Sequence, residues 1–529
     1  MSNPISAKFR RFSAWSFYLA IIALYAFSLW GLFTHRTDET FWSLAETWRI
    51  VQYSAGQALI SALSATLLGL LTARSFFYLP FKGKALLYKL LAFVWSLPAL
   101  IVIFALIGVW GNNGWLAQCW RLIGLEWHFS LYGLQGIVLA HLFLNIPLVM
   151  KYCLEGLNLI PSSSHQLAAQ LNLTGWYYFR IVELPVLSGI LPYAFGTVFL
   201  LCFTSFPIVL MLGGGPKYST LEVAIYQAVT FEFDFAKAVI LILVQVAIGI
   251  LLQLLMLWAS RRAFEQQRSK AVIDAIWRAA PQGTKRFLST IFLLMICTMI
   301  FVPLLNVVLR GISALNWQRL LAFDLVQAVW FSLLLALISG ITAVGVSYLL
   351  ALEHRQLVYH QQKVWQSILS SVVTLPLILP VFLLSVGLFL LLMWHDLNQW
   401  QLILLIGICN GLTLLPFIYH LIFSAMWQSL KNRDKLARSL GLKGFQRWWI
   451  VEKNALIRPL AQAFALAISA SLGSFTIIAF FGNPDFATLP YLLYQQLGNY
   501  RTEEAAVTAL LLLLCALLPF LAIKQKGSL

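Results

Sequence analysis

Residues 167–183 read LAAQLNLTGWYYFRIVE, and residues 436–452 read LARSLGLKGFQRWWIVE. Eight of these seventeen positions are identical at a constant offset of 269: Leu167, Ala168, Leu171, Leu173, Gly175, Ile181, Val182 and Glu183 recur as Leu436, Ala437, Leu440, Leu442, Gly444, Ile450, Val451 and Glu452. The same offset pairs Pro147 with Pro416 and Gly213 with Gly482. The register then slips by one, and Leu221, Tyr226 and Gln227 match Leu489, Tyr494 and Gln495. Self-similarity at a fixed spacing means two copies of one structural unit.

The material around the repeat is apolar. Of 529 residues, 60% are hydrophobic and 10% charged, whereas a soluble domain carries roughly a quarter charged residues. This composition excludes a soluble enzyme. One helix needs about 20 mostly apolar residues to cross a bilayer. Windows of that kind fall at 14–34, 51–73, 86–110, 132–154, 186–212 and 237–260, then at 287–309, 326–352, 365–394, 400–424, 460–482 and 505–523. The first follows Lys8, Arg10 and Arg11 and is too long for the apolar region of a signal peptide, so it reads as a retained span with a cytoplasmic N-terminus.

With alternating loops, the side that holds both termini carries 28 of the 36 Lys and Arg and 7 of the 19 acidic residues, a balance of +21 against −4 on the other side. That is the positive-inside asymmetry of an even number of spans, and it explains the net charge of +17 without nucleic acid. Both halves then start inside, which makes them parallel repeats related by an axis along the membrane normal. The expected division is a first repeat over 1–260, a basic cytoplasmic linker over 261–286 and a second repeat over 287–529. The linker, with Arg261, Arg262, Arg268, Lys270, Arg278, Lys285 and Arg286, reads as a topology determinant that touches acidic lipid.

Two such halves suit transport, but the chain lacks an engine. No Asp, Glu, Lys or Arg sits at the middle of a span, where ion-coupled carriers place them. His141, Asn145 and Asn410 are the polar exceptions and read as interhelical hydrogen-bonding groups. Gly213, Gly214, Gly215, Pro216 and Lys217 form too short a loop, on the external side, to cradle nucleotide phosphates. The six cysteines are scattered, with no disulfide framework or metal-ligand spacing. No cofactor, metal or catalytic residue is expected, and the fuel must be consumed by a partner.

That requirement points to the cytoplasmic excursions 155–185 and 425–459, each between the fourth and fifth span of its half. Leu167 with Leu171, and Leu436 with Leu440, are i,i+4 pairs that make a short amphipathic helix. Asn172 and Gly441 tolerate the left-handed backbone of a turn. An aromatic-rich second helix follows, with Trp176 and Phe179 in one copy and Trp448 and Trp449 in the other. The arrangement presents an apolar knob to a groove on a partner.

These loops resemble the cytoplasmic motif of the membrane permeases of bacterial ATP-binding-cassette importers, which runs Glu-Ala-Ala, three residues, Gly, nine residues, Ile, any residue, Leu-Pro. The first copy offers Gln166, Leu167, Ala168, Asn172, Val182, Glu183, Leu184 and Pro185; the second offers Lys435, Leu436, Ala437, Gly441, Val451, Glu452, Lys453 and Asn454. Both lack the leading Glu, the first lacks the Gly and the second lacks the Leu-Pro. The resemblance implies an all-α fold of about twelve spans with the architecture of type I importers, located in the bacterial inner membrane. It also implies that the two loops are coupling helices for two ATPase subunits, which hold the ATP and magnesium. Within that family the fused chain is similar to thiamine permeases, through Tyr132 to Gly136 with Ala140 and His141, Gly213 to Pro216, Ala224 to Ala228, and Phe481 to Asn483 with Asp485 and Phe486. This similarity implies thiamine or its phosphate esters as cargo, a periplasmic thiamine-binding protein as donor, and one fused permease chain per complex.

Thr204, Ser205 and Phe206 in the fifth span and Gly473, Ser474 and Phe475 in the eleventh occupy equivalent places and are the candidates for the cargo path, where aromatic faces attract an organic cation. Tyr226, Gln227, Tyr494 and Gln495 on the external side are candidates for docking the binding protein. Two alternatives predict different behaviour. A fused ferric-iron permease shares the architecture but not the cargo, and a twelve-span secondary carrier needs an ion gradient and no ATPase.

Overall fold

The computed structural model describes residues 4–34, 43–213, 218–266, 282–393, 395, 397–442, 444–482 and 486–522, with backbone alone at 4–10, 256–266, 377–378, 430–436, 438, 444–445 and 520–522. Among these residues ten helices are long and apolar enough to cross a membrane, or twelve if each of two bent pairs counts as one span. The chain is an all-α, multi-pass membrane protein. Helices suit this setting because they satisfy their own backbone groups where water is absent.

Several spans are broken, and proline marks most of the breaks. The helix expected over 86–110 is two pieces, Lys84–Val94 and Ala99–Trp110, with Pro98 heading the second. Its counterpart over 365–394 is likewise Lys363–Ile378 and Val381–Leu392, bent by 77°. Proline removes a backbone donor and pushes the preceding residue out of the helical region, and Leu379, ahead of Pro380, is extended with ψ 124°. The fifth and eleventh spans begin earlier than their apolar windows. They run as Gly175–Phe203 and Trp448–Leu472, so the second arm of each helix-turn-helix is the start of a span and not a separate interfacial helix.

The first arm differs between the halves. In the first, the fourth span Leu134–Leu157 ends and a separate helix, Ser162–Gln170, starts after Pro161. In the second, Leu415–Ser439 runs unbroken through the equivalent residues. Leu430 stands where the repeat offset would place Pro161, so no missing donor interrupts the ladder there.

Two compact units emerge, and each mixes the sequence halves. One comprises Met1–Phe41, Ile225–Val246 and Gly311–Lys526; the other comprises Trp42–Ala224, Ala247–Arg310 and Gly527–Leu529. The first span therefore packs with the second half, and most of the seventh, Gly283–Ser313, packs with the first. Close backbone approach carries both exchanges. A Cβ on Gly31 would stand 2.5 Å from Leu391 Cγ, and one on Gly387 would stand 2.3 Å from the Ser28 carbonyl oxygen. In the other unit Asn306 Nδ2 donates to the Gly108 carbonyl at 3.4 Å, leaving no room for a side chain on that glycine. Small residues that admit a neighbouring backbone are the usual means of helix association in lipid.

The repeat also shows in two short helices at equivalent places. Ser54 Oγ of the second span, Leu44–Tyr78, accepts from the Leu221 N–H at 2.9 Å, and Ser332 Oγ of the eighth, Phe323–Tyr359, accepts from the Leu489 N–H at 2.7 Å. Each serine satisfies an orphan donor at the start of a short helix, Leu221–Gln227 or Leu489–Gly498.

Candidate functional site

The two copies of the repeated motif are built alike. Asn172 and Gly441 both take the left-handed backbone, with φ of +50° and +65°. In the first half Ala168 is buried beneath the helix, while Gln166, Leu167, Leu171 and Asn172 are exposed. Leu167 and Leu171 keep 57% and 62% of their surface in the open, an apolar step outside the unit's core. In the second half Ala437 is buried, Leu440 is 61% exposed and Gly441 is exposed. The side chains of Lys435 and Leu436 lie outside the described residues. Each motif thus rests on a small buried alanine and presents leucine outward, the geometry of a knob for a partner's groove.

The downstream motif residues face the other way. Val182 is half-buried, and Val451, Glu183 and Glu452 are buried. Both acids close a π-helical turn, Phe179–Glu183 and Trp448–Glu452, and each pairs with an arginine of its own unit. They are positioned to hold the motif onto a span rather than to meet a docked partner. The first helix is held as well by His165, which is buried, bonds the Tyr178 hydroxyl at 2.5 Å and stacks on that ring.

The six candidate path residues sit at breaks in the fifth and eleventh spans. Leu184–Phe203 stops at Thr204 and Ser205 before Phe206–Leu212 begins, and Lys453–Leu472 stops at Gly473 before Ile478–Phe481. Thr204 is exposed, Ser205 buried and Phe206 fully buried; Gly473 and Ser474 are half-buried and Phe475 is 1% exposed, its ring 5.0 Å from that of Tyr494. Both phenylalanines are core residues of their units.

Polar groups join each break, or the spans beside it, to neighbouring helices. In the first half Gln57 Nε2 donates to the Cys202 carbonyl at 2.8 Å, Asn145 Nδ2 lies 3.5 Å from Cys202 Sγ, and Ser61 Oγ meets His141 Nδ1 at 3.0 Å. In the second, Ser474 donates to Asn410 Oδ1 at 2.7 Å and Ser339 to the Gly407 carbonyl at 2.9 Å. His141, Asn145 and Asn410 are therefore interhelical bonding groups, as expected of polar residues at this depth. Gln57 and Ser61 escape a sequence reading because their helix carries other polar residues, Ser54 and Arg74 among them, and composition does not single these two out. Their i,i+4 spacing on one face is the available signal.

Of the candidates for docking a binding protein, Tyr226 is 6% exposed, packed edge-on against Phe231 and Phe480. Burial raises the pKa of its phenol, with Tyr494 alongside. Gln227, Tyr494 and Gln495 are half-buried, so little of this quartet projects into solvent. Nearby acids are occupied locally: Glu232 with Lys237, Glu503 with Arg319 and Glu504 with Arg501.

The family model described as "Binding-protein-dependent transport system inner membrane component" matches residues 65–265 and 343–524. The thiamine transport system permease protein ThiP of Haemophilus influenzae is 42% identical over 475 residues, 89% of this chain and 87% of that protein. Its counterpart in Escherichia coli is 37% identical over 511 residues, 95% and 94% of the two chains, and that of Brucella abortus is 34% identical over 485 residues, 91% and 88%.

Proposed function

Because the chain belongs to the binding-protein-dependent transport system inner membrane components, a family of permeases rather than enzymes, we propose that it is the gate of an ATP-binding-cassette importer that brings thiamine into the bacterial cytoplasm. The observation that carries the substrate is the 34–42% identity, across nearly the whole chain, to thiamine permeases of three bacteria. This favours thiamine over ferric iron, the cargo of an otherwise similar architecture.

In this reading a periplasmic binding protein delivers thiamine or its phosphate esters to the external face. Two ATPase subunits, which hold ATP and magnesium, take the exposed leucines of the two cytoplasmic motifs. One fused chain supplies both docking helices, and both termini lie in the cytoplasm. Closure of the ATPase pair on ATP drives the permease to its outward-open state, and hydrolysis resets it, giving alternating access. A ligand shifts such an equilibrium only by its difference in affinity for the two states, so nucleotide and loaded binding protein must both favour the outward one. The cargo needs no carboxylate at depth, because aromatic faces attract an organic cation by about 0.5–2 kcal/mol per contact.

The test is reconstitution with the cognate ATPase and binding protein, supplied in turn with labelled thiamine and ferric iron. ATP-dependent uptake of thiamine alone is expected, and uptake of iron alone overturns the assignment. Leu167→Asp and Leu440→Asp, at exposed sites, should insert normally yet abolish the stimulation of ATP hydrolysis by loaded binding protein. Unchanged stimulation in both would remove these helices from the coupling path.

A further inference from the structure

Each half buries one carboxylate at the end of a π-helical turn, and an arginine from the half's long second span comes to meet it. Glu183 has no exposed surface; Arg74 Nε and Nη2 donate to its two oxygens at 2.6 and 3.3 Å. Glu452 accepts from Arg355 Nη1 at 2.9 Å and from Arg447 Nε at 3.0 Å. The two turns coincide at the repeat offset, Phe179 with Trp448 and Glu183 with Glu452.

A π turn carries one residue more than the helix around it needs, so it persists only where its surroundings hold it, and such turns gather at functional sites. A buried carboxylate has the same requirement, because without a partner it is strongly disfavoured. The question is whether the pairs are incidental glue. The register of the arginines argues otherwise. Ser54 and Ser332, which cap the two short helices in the same way, stand 278 residues apart, and this spacing places Leu352 opposite Arg74. The arginine is instead Arg355, three residues on, close to one helical turn along the same face. The two halves have kept the pairing while the residue that provides it has moved.

The pairs join the parts that must move together. Glu183 lies between the docking helix Ser162–Gln170 and the rest of the fifth span, and Arg74 belongs to the second. Tyr178, in the same stretch, links His165 of the docking helix to Tyr78 of the second span, with hydroxyl distances of 2.5 and 3.3 Å. In the other half, Trp448 Nε1 donates to the Tyr348 hydroxyl of the eighth span at 2.7 Å.

We propose that Arg74–Glu183 and Arg355–Glu452 are positioning pairs that clamp each π turn to its second or eighth span, so that a docking helix moved by an ATPase carries that span with it. This rests on the importer reading above. With the clamp open, the separate docking helix of the first half swings on its own turn, and in the second half, where that arm continues the tenth span, the eleventh span parts from the eighth; in both the motion is not passed on.

Two measurements separate the clamp from the cargo. In the permease alone, spin labels at Gln170→Cys and Leu71→Cys, in a background without the native cysteines, should give one narrow distance distribution, and Glu183→Gln should broaden it. A distribution as narrow as that of the parent overturns the clamp, whatever the substrate. In the reconstituted complex, Glu183→Gln and Glu452→Gln should lower thiamine stimulation of ATP hydrolysis at least about fivefold, the low end of coupling between sites, and the swapped pair Arg74→Glu with Glu183→Arg should restore part of it. Normal stimulation in both glutamine variants also overturns the clamp. A parent complex that ignores thiamine overturns the importer reading instead, and the spin-label result still stands by itself. If Glu183→Gln inserts poorly, Arg74→Lys keeps the charge, loses the two-pronged geometry and gives the same readouts.

Discussion

The hydroxyl of Ser474 donates to Oδ1 of Asn410 at 2.7 Å, fastening the break in the eleventh span to the tenth. The residue equivalent to Asn410 at the repeat offset is His141, which bonds Ser61. The equivalent residues therefore bond different neighbours, His141 the second span and Asn410 the break in the eleventh.

If that bond holds the break, Asn410→Leu and Ser474→Ala each remove the same interaction, worth about 0.6 to 1.7 kcal/mol in a membrane interior. The double variant should then cost little more than the worse single one, since residues that share one bond are not additive. Thermal unfolding of the four proteins in detergent measures this. Losses that simply add show that the two side chains act independently.

At the turns of the repeated motif the two halves predict opposite sensitivities. Gly441→Val places a β-branched residue at φ +65°, where an L residue is penalised by about 1–2 kcal/mol. The docking helix should tilt or fray, and the affinity of the ATPase subunits should fall. Asn172→Gly relieves a side chain already at φ +50° and should leave binding intact. Titrating purified ATPase against each variant gives the Kd values, and equal effects at both positions would contradict the turn geometry.

Much of this was legible in the sequence because the repeat carries it. The duplicated motif and the apolar windows lead to an all-α, multi-pass membrane protein with two exposed leucine steps. The exchange of the first and seventh spans was not legible, because Gly31, Gly387 and Gly108 disclose a close approach only once their neighbours are known. Hydropathy also ran through Pro98 and Pro380, since a window average does not register a missing N–H. The arginine partners of Glu183 and Glu452 were hidden for a different reason. Arg74 and Arg355 are 281 residues apart, out of register with the 269 of the glutamates, so no alignment at one offset pairs them.

The exchanged first span makes a prediction about glycine. A Cβ on Gly387 would come within 2.3 Å of the Ser28 backbone, which cannot retreat as a flexible side chain can. Gly387→Val should lower the unfolding temperature sharply and loosen the first span, seen as faster proteolysis of the segment that follows it. Gly56→Ala is the control: it lies in the helix Leu44–Tyr78 with nothing within 4 Å of the added carbon, and should be neutral or stabilising by about 0.5–1 kcal/mol. Helix propensity favours both substitutes over glycine, so comparable damage from both changes would mean that close approach at Gly387 does not set the cost.

The pair of half-buried Arg74 and fully buried Glu183 permits a separation of stability from work. Removing one partner, as in Arg74→Met, leaves the buried carboxylate without its counter-charge and should cost about 3–5 kcal/mol. Removing both, Arg74→Met with Glu183→Leu, leaves no unpaired charge and should recover most of that loss, because apolar side chains of similar volume replace buried ion pairs without penalty. Unfolding by denaturing detergent ranks the three proteins. A pair that serves only to hold the fold would let the double variant hydrolyse ATP in response to thiamine as the parent does. A pair that positions the docking helix would leave the double variant stable and its hydrolysis indifferent to thiamine, because apolar contact lacks the two directed hydrogen bonds that fix the turn against the span.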